Sequence, residues 1–220
     1  MIDPVRIFVG FDPREAVAYH VCVQSIIENC SRPERLEFHP VTGERRDGSN
    51  AFVYERFLIP HRCNFVGTAL FMDGDMIVRG DVCELFDSTI AYEGVRVVKH
   101  EYRTAYPIKF GGVINEDYPR KNWSSVVLWN CNFYPHRVLT PEFVAAATGS
   151  YLHQFEWLKD ENIGSLPAEW NRLVLEQPVR ETDRLLHYTI GIPAFAEYAA
   201  CEAADEWHAT LGRALAPIKR

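Results

Sequence analysis

The sequence predicts a mixed α/β fold in a single domain, and three observations support this. The chain has 220 residues, which lies within the range of one domain. It opens with a strand pattern, a helical pattern and a second strand pattern, which is how a βαβ unit begins. Further along, residues Thr68–Met72 form a continuous apolar run, typical of a strand that is buried on both faces of a sheet.

The opening unit follows from local sequence signals. Residues 5–9 are apolar and rich in β-forming side chains, and the run ends at Gly10. Asp12 and Pro13 then mark a helix start, because Asp caps free amides and Pro tolerates the first helical position. The helix itself is predicted by apolar residues at helical spacing, at Val17, Val21, Ile26 and Ile27. Residues Leu36–Val41 read as the second strand.

The rest of the chain continues the alternation of strands and helices, with no repeat or linker, so we expect one domain over residues 1–220. Further strands are predicted at Thr68–Met72, Met76–Val78, 95–98 and 126–129. Helices are predicted at 51–59, where Pro60 ends the helix, and at 81–86, 139–147, 151–158 and 194–215. Residues 101–122 are rich in Tyr, Gly and Pro and are predicted to form an ordered loop over the site.

Composition excludes several classes of protein. With 47% hydrophobic and 24% charged residues, the chain is typical of a globular protein and not of a disordered or fibrous one. A net charge of -7 argues against a nucleic-acid partner or an anionic membrane surface. There is no signal-peptide pattern and no apolar run long enough for a membrane span, so we expect a cytoplasmic protein. The six scattered cysteines lack CxxC spacing and are predicted to be reduced thiols.

Asp73-Gly74-Asp75 is the most informative motif. The two carboxylates directly follow a predicted buried strand, and open α/β sheets bind ligands at the carboxyl ends of their strands. Two carboxylates can hold one hard divalent cation, and the glycine between them lets the backbone turn so that both side chains converge. A polar turn at the end of a strand would give the same tripeptide, so this alternative stays open for the motif alone.

Three consecutive blocks resemble the central part of glycosyltransferase family 8. They are the Tyr54-Glu55-Arg56 segment, the strand that ends in Asp73-Gly74-Asp75, and the acidic-leucine segment at 81–86. The family pattern has the same three parts in the same order. Later segments also resemble the family: residues 123–130 its F-N-S-G-V-x-L-x-N strand, 166–171 its L-P-x-x-W-N segment, and 187–191 its H-Y-x-G motif.

The resemblance implies a GT-A fold, in which a mixed, mainly parallel twisted sheet is flanked by helices. It also implies transfer of a hexose from a nucleotide-sugar donor, most often a UDP-sugar, to a carbohydrate or glycoconjugate acceptor. Asp73, Asp75 and His187 would then hold Mn2+, with Mg2+ as the alternative ion. An imidazole ligand suits Mn2+ better than Mg2+.

The same resemblance assigns the other site residues. The donor-binding residues would be Gly10, Phe11, Asp12, Asp73, Tyr188 and Gly191. Arg56 would support the diphosphate side, and Glu156 would lie beneath the donor sugar as a second catalytic group. Each residue also has an ordinary structural interpretation: a core histidine for His187, a helix cap for Asp12, a solvated helix residue for Glu156 and a surface ion pair for Arg56.

The chain departs from the family pattern in three places. The lysine that follows H-Y-x-G in the family, where it holds the diphosphate, has no counterpart in residues 187–193. Ser124 replaces the asparagine of the family's F-N-S-G strand, and the usual D-Q pair falls near Glu156 and Trp157. These departures leave the sugar, the acceptor and the stereochemical outcome open.

Two other functions remain compatible with the sequence. A nucleotidyltransferase that makes a nucleotide sugar has the same fold type, but residues 10–15 lack the glycine-rich basic segment that such enzymes usually carry after the first strand. A catalytically weak nucleotide-sugar-binding protein is the other alternative, because the family's lysine and asparagine are both replaced.

Overall fold

The computed structural model describes residues 4–44, 50–87, 90 and 92–216, so both ends of the predicted domain lie outside the described part. The described residues form eleven strands and six α-helices. The strands are β1 (Val5–Gly10), β2 (Leu36–Val41), β3 (Thr68–Met72), β4 (Met76–Val78), β5 (Val95–Val97), β6 (Ile108–Lys109), β7 (Val113–Ile114), β8 (Val126–Asn130), β9 (Ile163–Ser165), β10 (Arg172–Leu173) and β11 (Leu185–His187). The helices are α1 (Ala16–Asn29), α2 (Ile59–Arg62), α3 (Cys83–Phe86), α4 (Pro141–Ala146), α5 (Gly149–His153) and α6 (Ala204–Ala214).

A central six-stranded sheet has the order β2-β1-β3-β8-β5-β9. β1 is parallel to both β2 and β3, and β5 is parallel to β9, whereas β8 runs antiparallel to both of its neighbours. Three of the five pairings among these strands are therefore parallel. This confirms the prediction of a mixed, mainly parallel sheet.

The central strand β3 is buried on both faces, as its unbroken apolar sequence predicts. Ala69 and Phe71 face one hydrophobic core, which also contains Trp129. Leu70 and Met72 face the opposite core, which α1 covers. Because successive side chains of a strand point to opposite faces, a strand between two cores needs apolar residues at every position.

A second, three-stranded sheet has the order β10-β11-β4. Strand β4 continues from β3 after the Asp73-Gly74-Asp75 turn and runs antiparallel to β11. Strand β10 lies parallel to β11 on the other side. Strands β9 and β10 were not predicted, because they are only three and two residues long.

Three predicted helices differ from the structure. Residues Glu55–Leu58 form a 3-10 helix, and Pro60 lies in the first turn of α2 instead of ending a helix, since proline is tolerated there. The predicted helix 151–158 ends early, because α5 stops at His153 and Phe155 has a φ of 55°. The predicted helix 194–215 is interrupted at Ala203, whose φ is 61°. Within this segment, only α6 is an α-helix of several turns.

The six cysteines all lie in the described part of the chain and form no disulfide, as predicted. The Sγ atoms of Cys30 and Cys83 are 3.4 Å apart, which is a contact between two thiols. None of the helices in the described ranges combines the length and the apolar composition needed to cross a bilayer. The cytoplasmic location stays a prediction.

Candidate functional site

The acidic turn joins β3 to β4 at the carboxyl end of the central sheet. The Asp73 N–H donates a hydrogen bond to the Ser125 carbonyl at 3.0 Å, which ties the turn to the start of β8. An ideal Cβ on Gly74 would lie 2.2 Å from the Gly10 carbonyl oxygen. Glycine is therefore required here because the turn packs directly on the end of β1, and not because of a left-handed φ as a sharp turn would suggest.

Strand register brings His187 to this turn from more than a hundred positions away. In the β4–β11 pairing, Met76 lies opposite His187, and the Tyr188 N–H donates to the Asp75 carbonyl at 2.9 Å. The Nε2 atom of His187 consequently lies 3.2 Å from Oδ1 of Asp75 and 3.7 Å from Oδ2 of Asp73. The three predicted metal-binding side chains therefore meet at one point.

A chain of hydrogen bonds fixes which nitrogen of His187 carries the proton. The Ser125 hydroxyl donates to the Asn122 carbonyl at 2.7 Å and accepts from Nδ2 of Asn171 at 2.8 Å. The amide of Asn171 is thereby oriented with Oδ1 toward Nδ1 of His187, at 3.1 Å. An amide oxygen only accepts, so Nδ1 carries a proton and donates it to Asn171, and Nε2 is the ring nitrogen that faces the two carboxylates.

Arg56 holds Asp73 from behind. Its Nη1 atom lies 2.9 Å from Oδ1 of Asp73 and donates to the Ser124 carbonyl at 2.9 Å, while Nε donates to the Val53 carbonyl at 3.1 Å. The guanidinium is also 4.9 Å from the centre of the Phe71 ring. With only 4% of its surface exposed, Arg56 is a buried cation and not a surface ion-pair partner.

The electrostatics of the site favour a bound cation. Burial raises the pKa of Asp73 to about 6, against the opposing effect of Arg56, and burial together with Asp75 and Asp12 raises the pKa of Glu15 to about 8. Oδ1 of Asp73 has Arg56 as its ion-pair partner, whereas Oδ1 of Asp75 is buried without a hydrogen bond to the described residues and lies 3.2 Å from Nε2 of His187. The cluster thus holds two buried carboxylates against the single positive charge of Arg56, and a bound cation would balance the excess negative charge.

These residues fit a divalent metal ion. Asp73, Asp75 and His187 each offer one ligand atom, and these atoms lie within 4.8 Å of one another. Two carboxylate oxygens and one imidazole nitrogen form a donor set suited to Mn2+. Asn171 provides the partner that a ligating histidine normally has on its other nitrogen.

A cleft of about 570 Å³ opens over the acidic turn. Asp73, Asp75 and His187 lie in its wall together with Arg56. Residues of the 101–122 segment also line it, so this segment covers the site as its composition predicted. They are Lys109, Glu116, Tyr118 and Asn122.

The predicted nucleoside-binding residues lie at the end of β1, beside the cleft but not in its lining. The Asp12 carboxylate accepts hydrogen bonds from the backbone N–H of Arg14 at 2.9 Å, from its guanidinium, and from the Ala51 N–H at 3.0 Å. It therefore caps the turn at Pro13–Glu15 and fixes the 50–51 segment. Gly10 contacts Phe52: a Cβ added to the glycine would lie 2.5 Å from the ring.

Of the other predicted site residues, two line the cleft and one does not. Tyr188 and Gly191 line the cleft, and the Tyr188 hydroxyl donates to the Ala203 carbonyl at 3.0 Å. Glu156 is exposed and is not among the residues that line the cleft. The short α5 explains this, because the chain turns away after His153 and carries Glu156 to the surface. The structure thus does not bring Glu156 to the cleft or to the cluster of Asp73, Asp75 and His187.

Comparison with known proteins identifies the family. No model of a known protein family matches the chain. Protein CDI of Arabidopsis thaliana is 40% identical to it over 221 residues, covering 93% of this chain and 85% of that protein. The chain belongs to the family of Protein CDI. That name describes no reaction, so for this member of the Protein CDI family the functional argument depends on the site.

Solved structures similar to this Protein CDI family member are glycosyltransferases. The bifunctional glycosyltransferase WbbM aligns with a TM-score of 0.67 and 15% identity over 96% of this chain, which spans about half of WbbM at 50%. GlyE of Streptococcus pneumoniae TIGR4 aligns with a TM-score of 0.64, 14% identity and coverage of 97% and 61%.

The galactosyltransferase LgtC, solved with donor and acceptor sugar analogues, aligns with a TM-score of 0.65 and 13% identity over 98% of both chains. These likenesses confirm the predicted GT-A glycosyltransferase fold for this member of the Protein CDI family. At such low sequence identity, these similarities show the fold and not the reaction. The closer resemblance to family 8 stays a prediction.

Three residues in or behind the cleft were not predicted: Lys109 and Thr189 line it, and the fully buried Asn171 supports His187 from behind. Asn171 was noted only as the last letter of the L-P-x-x-W-N match, and Lys109 and Thr189 were not singled out at all. Asn171 could have been found, since a ligating histidine needs an oriented partner. Lys109 lies close to two glycines in the 101–122 segment. A cationic side chain in a segment that covers the site could have been noted as a candidate for binding phosphate. Thr189 carries no comparable signal.

Proposed function

We propose that the chain is a metal-dependent glycosyltransferase that transfers a sugar from a nucleotide-sugar donor, a UDP-sugar, to a carbohydrate or glycoconjugate acceptor. The main support is the convergence of Asp73, Asp75 and the Nε2 atom of His187 within 4.8 Å in the wall of the cleft. A GT-A fold with such a cluster at the carboxyl end of its sheet suits a nucleotide diphosphate held through a cation.

The proposed ion is Mn2+, with Mg2+ as the alternative. When bound, it would act as a Lewis acid that offsets the negative charge developing on the diphosphate as the bond between sugar and phosphate breaks. Asp73 and Asp75 would neutralise the ion, and His187 would complete the protein ligands. Their geometry is preset, because Arg56 holds Asp73 and Asn171 holds His187. Arg56 thus acts as a positioning residue.

The donor would lie along the cleft from the end of β1 toward residues 188–191. Phe11 and Gly10 lie at the β1 end, where we propose that the nucleoside binds. Asp12 would contribute by fixing the adjacent 50–51 segment, because its carboxylate is already occupied by Arg14 and Ala51. Tyr188 and Gly191 would form the wall on the diphosphate side.

Donor hydrolysis tests the proposal without knowledge of the acceptor. The chain would be incubated with a panel of UDP-, GDP- and ADP-sugars, with Mn2+ or with EDTA, and release of the nucleoside diphosphate would be measured. We expect slow Mn2+-dependent hydrolysis of at least one UDP-sugar, because transferases leak to water when no acceptor is present. Adding sugar phosphate and nucleoside triphosphate and measuring pyrophosphate tests the nucleotidyltransferase alternative.

Asp75→Asn is the matched variant for this assay. It keeps the shape of the side chain and removes the charge that the ion needs, so Mn2+-dependent donor binding and hydrolysis should both be lost. Asp205→Asn, at an exposed position of α6, is the control and should behave as the wild type. Donor binding and hydrolysis that survive Asp75→Asn would contradict the metal assignment, whereas donor binding without hydrolysis would favour a nucleotide-sugar-binding protein.

A further inference from the structure

The diphosphate of the proposed donor needs a positively charged side chain as a partner. In the family pattern this is the lysine after H-Y-x-G, which is absent from this chain. Two carboxylates, Asp73 and Asp75, already balance the charge of a divalent ion, and the segment 187–193 has no lysine. The cleft also contains the acidic residues Glu15 and Glu116. The negative phosphates would thus enter a cleft with several acidic residues in its lining, and they need a cation that faces them.

Among the described residues, three cationic side chains other than histidines line the cleft: Arg14, Arg56 and Lys109. Arg14 is paired with Asp12 at 2.7 Å. Arg56 is buried and is paired with Asp73 at 2.9 Å. Lys109 is half-buried, and its ammonium makes no hydrogen bond or ion pair with the described residues. It is therefore the cation of this group whose charge is available to a ligand.

We propose that the Lys109 ammonium binds the phosphate oxygens of the donor diphosphate and replaces the lysine that is missing after His187. This inference rests on the proposed function and adds a phosphate-binding residue from a different part of the chain. A lysine suits the role, because its ammonium is a compact charge with three donors on a flexible stem.

Lys109 lines the same cleft as the metal cluster of Asp73, Asp75 and His187. Burial lowers the pKa of Lys109, while the carboxylates of Asp75 and Asp73 oppose this shift and the ammonium of Lys121 adds to it. The Lys109 side chain is therefore within electrostatic reach of both acidic residues, although it forms no direct ion pair with them. A phosphate group between the ion and Lys109 would contact both.

The hairpin that carries Lys109 is held in place. Lys109 pairs with Val113 across β6 and β7. At the base of the hairpin, the buried Asn115 donates through Nδ2 to Oγ1 of Thr104 at 2.8 Å and to the Tyr106 carbonyl at 2.7 Å. Its N–H donates to the Pro107 carbonyl at 2.8 Å. These contacts keep Lys109 facing the cleft, so less entropy is lost when it binds.

Thr189 provides an independent sign that an anion binds on this side. It is only 8% exposed, it lines the cleft, and its Oγ1 has no hydrogen-bond partner among the described residues. A buried hydroxyl without a partner is costly, and a phosphate oxygen would accept its hydrogen bond. Thr189 lies in the same 187–193 segment that lacks the lysine, on the cleft wall where the diphosphate is proposed to bind.

Calorimetric binding to the wild type and three variants tests the inference. Wild type, Lys109→Met, Lys109→Arg and the exposed control Lys159→Met would be titrated with UDP in the presence of Mn2+, with inorganic pyrophosphate and Mn2+, and with uridine. We expect Lys109→Met to weaken UDP and pyrophosphate binding roughly 10- to 100-fold, the range for a hydrogen bond from a charged group. Lys109→Arg should retain most of the affinity, and Lys159→Met should match the wild type.

Two readouts separate phosphate binding from a structural role. Affinity for uridine should not change in Lys109→Met, and affinity for Mn2+ alone should not fall, because removing a nearby positive charge does not weaken a cation site. Thr189→Val should weaken UDP binding by a smaller factor, roughly 3- to 10-fold, as expected for a neutral hydrogen bond.

The inference and the proposed function fail in different ways. Equal binding of UDP and pyrophosphate by the wild type and by Lys109→Met would overturn the role of Lys109 and leave the proposed function intact. A parallel loss of uridine and Mn2+ binding in Lys109→Met would also overturn it, because this would show a structural defect. A wild-type chain that binds neither UDP nor pyrophosphate with Mn2+ would contradict the proposed function itself.

Discussion

Nδ1 of His187 donates a hydrogen bond to Oδ1 of Asn171 at 3.1 Å, and this contact orients the imidazole ring in the site. Because the Asn171 amide is oriented by Ser125, the imidazole turns Nε2 toward Asp73 and Asp75. Two carboxylates and a ring nitrogen that converge in this way form a donor set for a cation. Asn171 therefore prepares the site for a metal without contacting it.

The first prediction concerns this orienting role. Asn171→Leu removes the acceptor for Nδ1–H, so His187 is free to rotate or to change tautomer, and Mn2+ affinity should fall about 10- to 100-fold. Asn171→Asp keeps an acceptor at the same place and should retain more of the affinity. Mn2+ binding would be followed by electron paramagnetic resonance, with circular dichroism as the folding control. Unchanged Mn2+ affinity in Asn171→Leu would show that Asn171 does not orient the ligand.

The second prediction concerns the buried pair of Arg56 and Asp73. Arg56→Met leaves the Asp73 carboxylate buried without its cation, and the free energy of unfolding should fall by about 3–5 kcal/mol. The double variant Arg56→Met/Asp73→Asn removes both charges and should lose less than the sum of the two single variants. Urea denaturation measures both. Strictly additive losses would mean that the pair is not energetically coupled.

The third prediction is a loss of stability in acid that comes in part from His136. This fully buried ring accepts a hydrogen bond from Nε1 of Trp157 at 3.1 Å and donates through Nε2 to the Gly94 carbonyl at 2.9 Å, so both nitrogens are satisfied in the neutral form. Burial lowers its pKa to about 4. The unfolded chain, with an ordinary histidine pKa near 6.5, takes up the proton first.

The sign of the effect follows from this difference. The contribution of neutral His136 to the free energy of unfolding is fully present above pH 6.5. It is lost as the pH falls toward 4, by up to about 3 kcal/mol. His136→Gln can keep both hydrogen bonds but cannot titrate, so its free energy of unfolding should fall less steeply over this range. Some slope should remain, because burial also lowers the pKa values of His100 and His153 to about 3. Identical slopes for the variant and the wild type would contradict the assignment.

The fourth prediction uses the close approach of two backbones. Gly74→Ala places a Cβ 2.2 Å from the Gly10 carbonyl oxygen, so the acidic turn must move away from β1. Both the stability and the Mn2+ affinity should decrease. Gly212→Ala is the matched control, because a Cβ at this helical position in α6 meets no atom within 4 Å. The control should be neutral or more stable by about 1 kcal/mol, since alanine favours helices. Equal behaviour of the two variants would show that the turn tolerates displacement.

Much of the fold could be predicted because its signals are local. The β1–α1–β2 opening follows from apolar periodicity and a helix cap, and the doubly buried β3 follows from an unbroken apolar run. The break at Ala203 could not be predicted, because an alanine-rich segment favours a continuous helix and only tertiary packing explains a left-handed residue there. Strands as short as β9 and β10 are defined by their partners and have no pattern of their own.

The site was partly predictable for a similar reason. Asp73 and Asp75 could be predicted because they are close in sequence at the end of a strand. Their approach to His187 depends on the register between β4 and β11, which the sequence does not indicate. The family resemblance supplied that histidine. Lys109 reaches the cleft through a hairpin whose position depends on Asn115, and no sequence period indicates which way such a side chain points.

An anomalous difference map recorded near the manganese absorption edge, from crystals grown with Mn2+ and UDP, tests the central claim most directly. We expect one strong peak bonded to carboxylate oxygens of Asp73 and Asp75 and to Nε2 of His187, with the diphosphate on its open side. A map in which UDP is bound without a peak at this position, or in which the ion does not contact His187, would contradict the metal site and the function built on it.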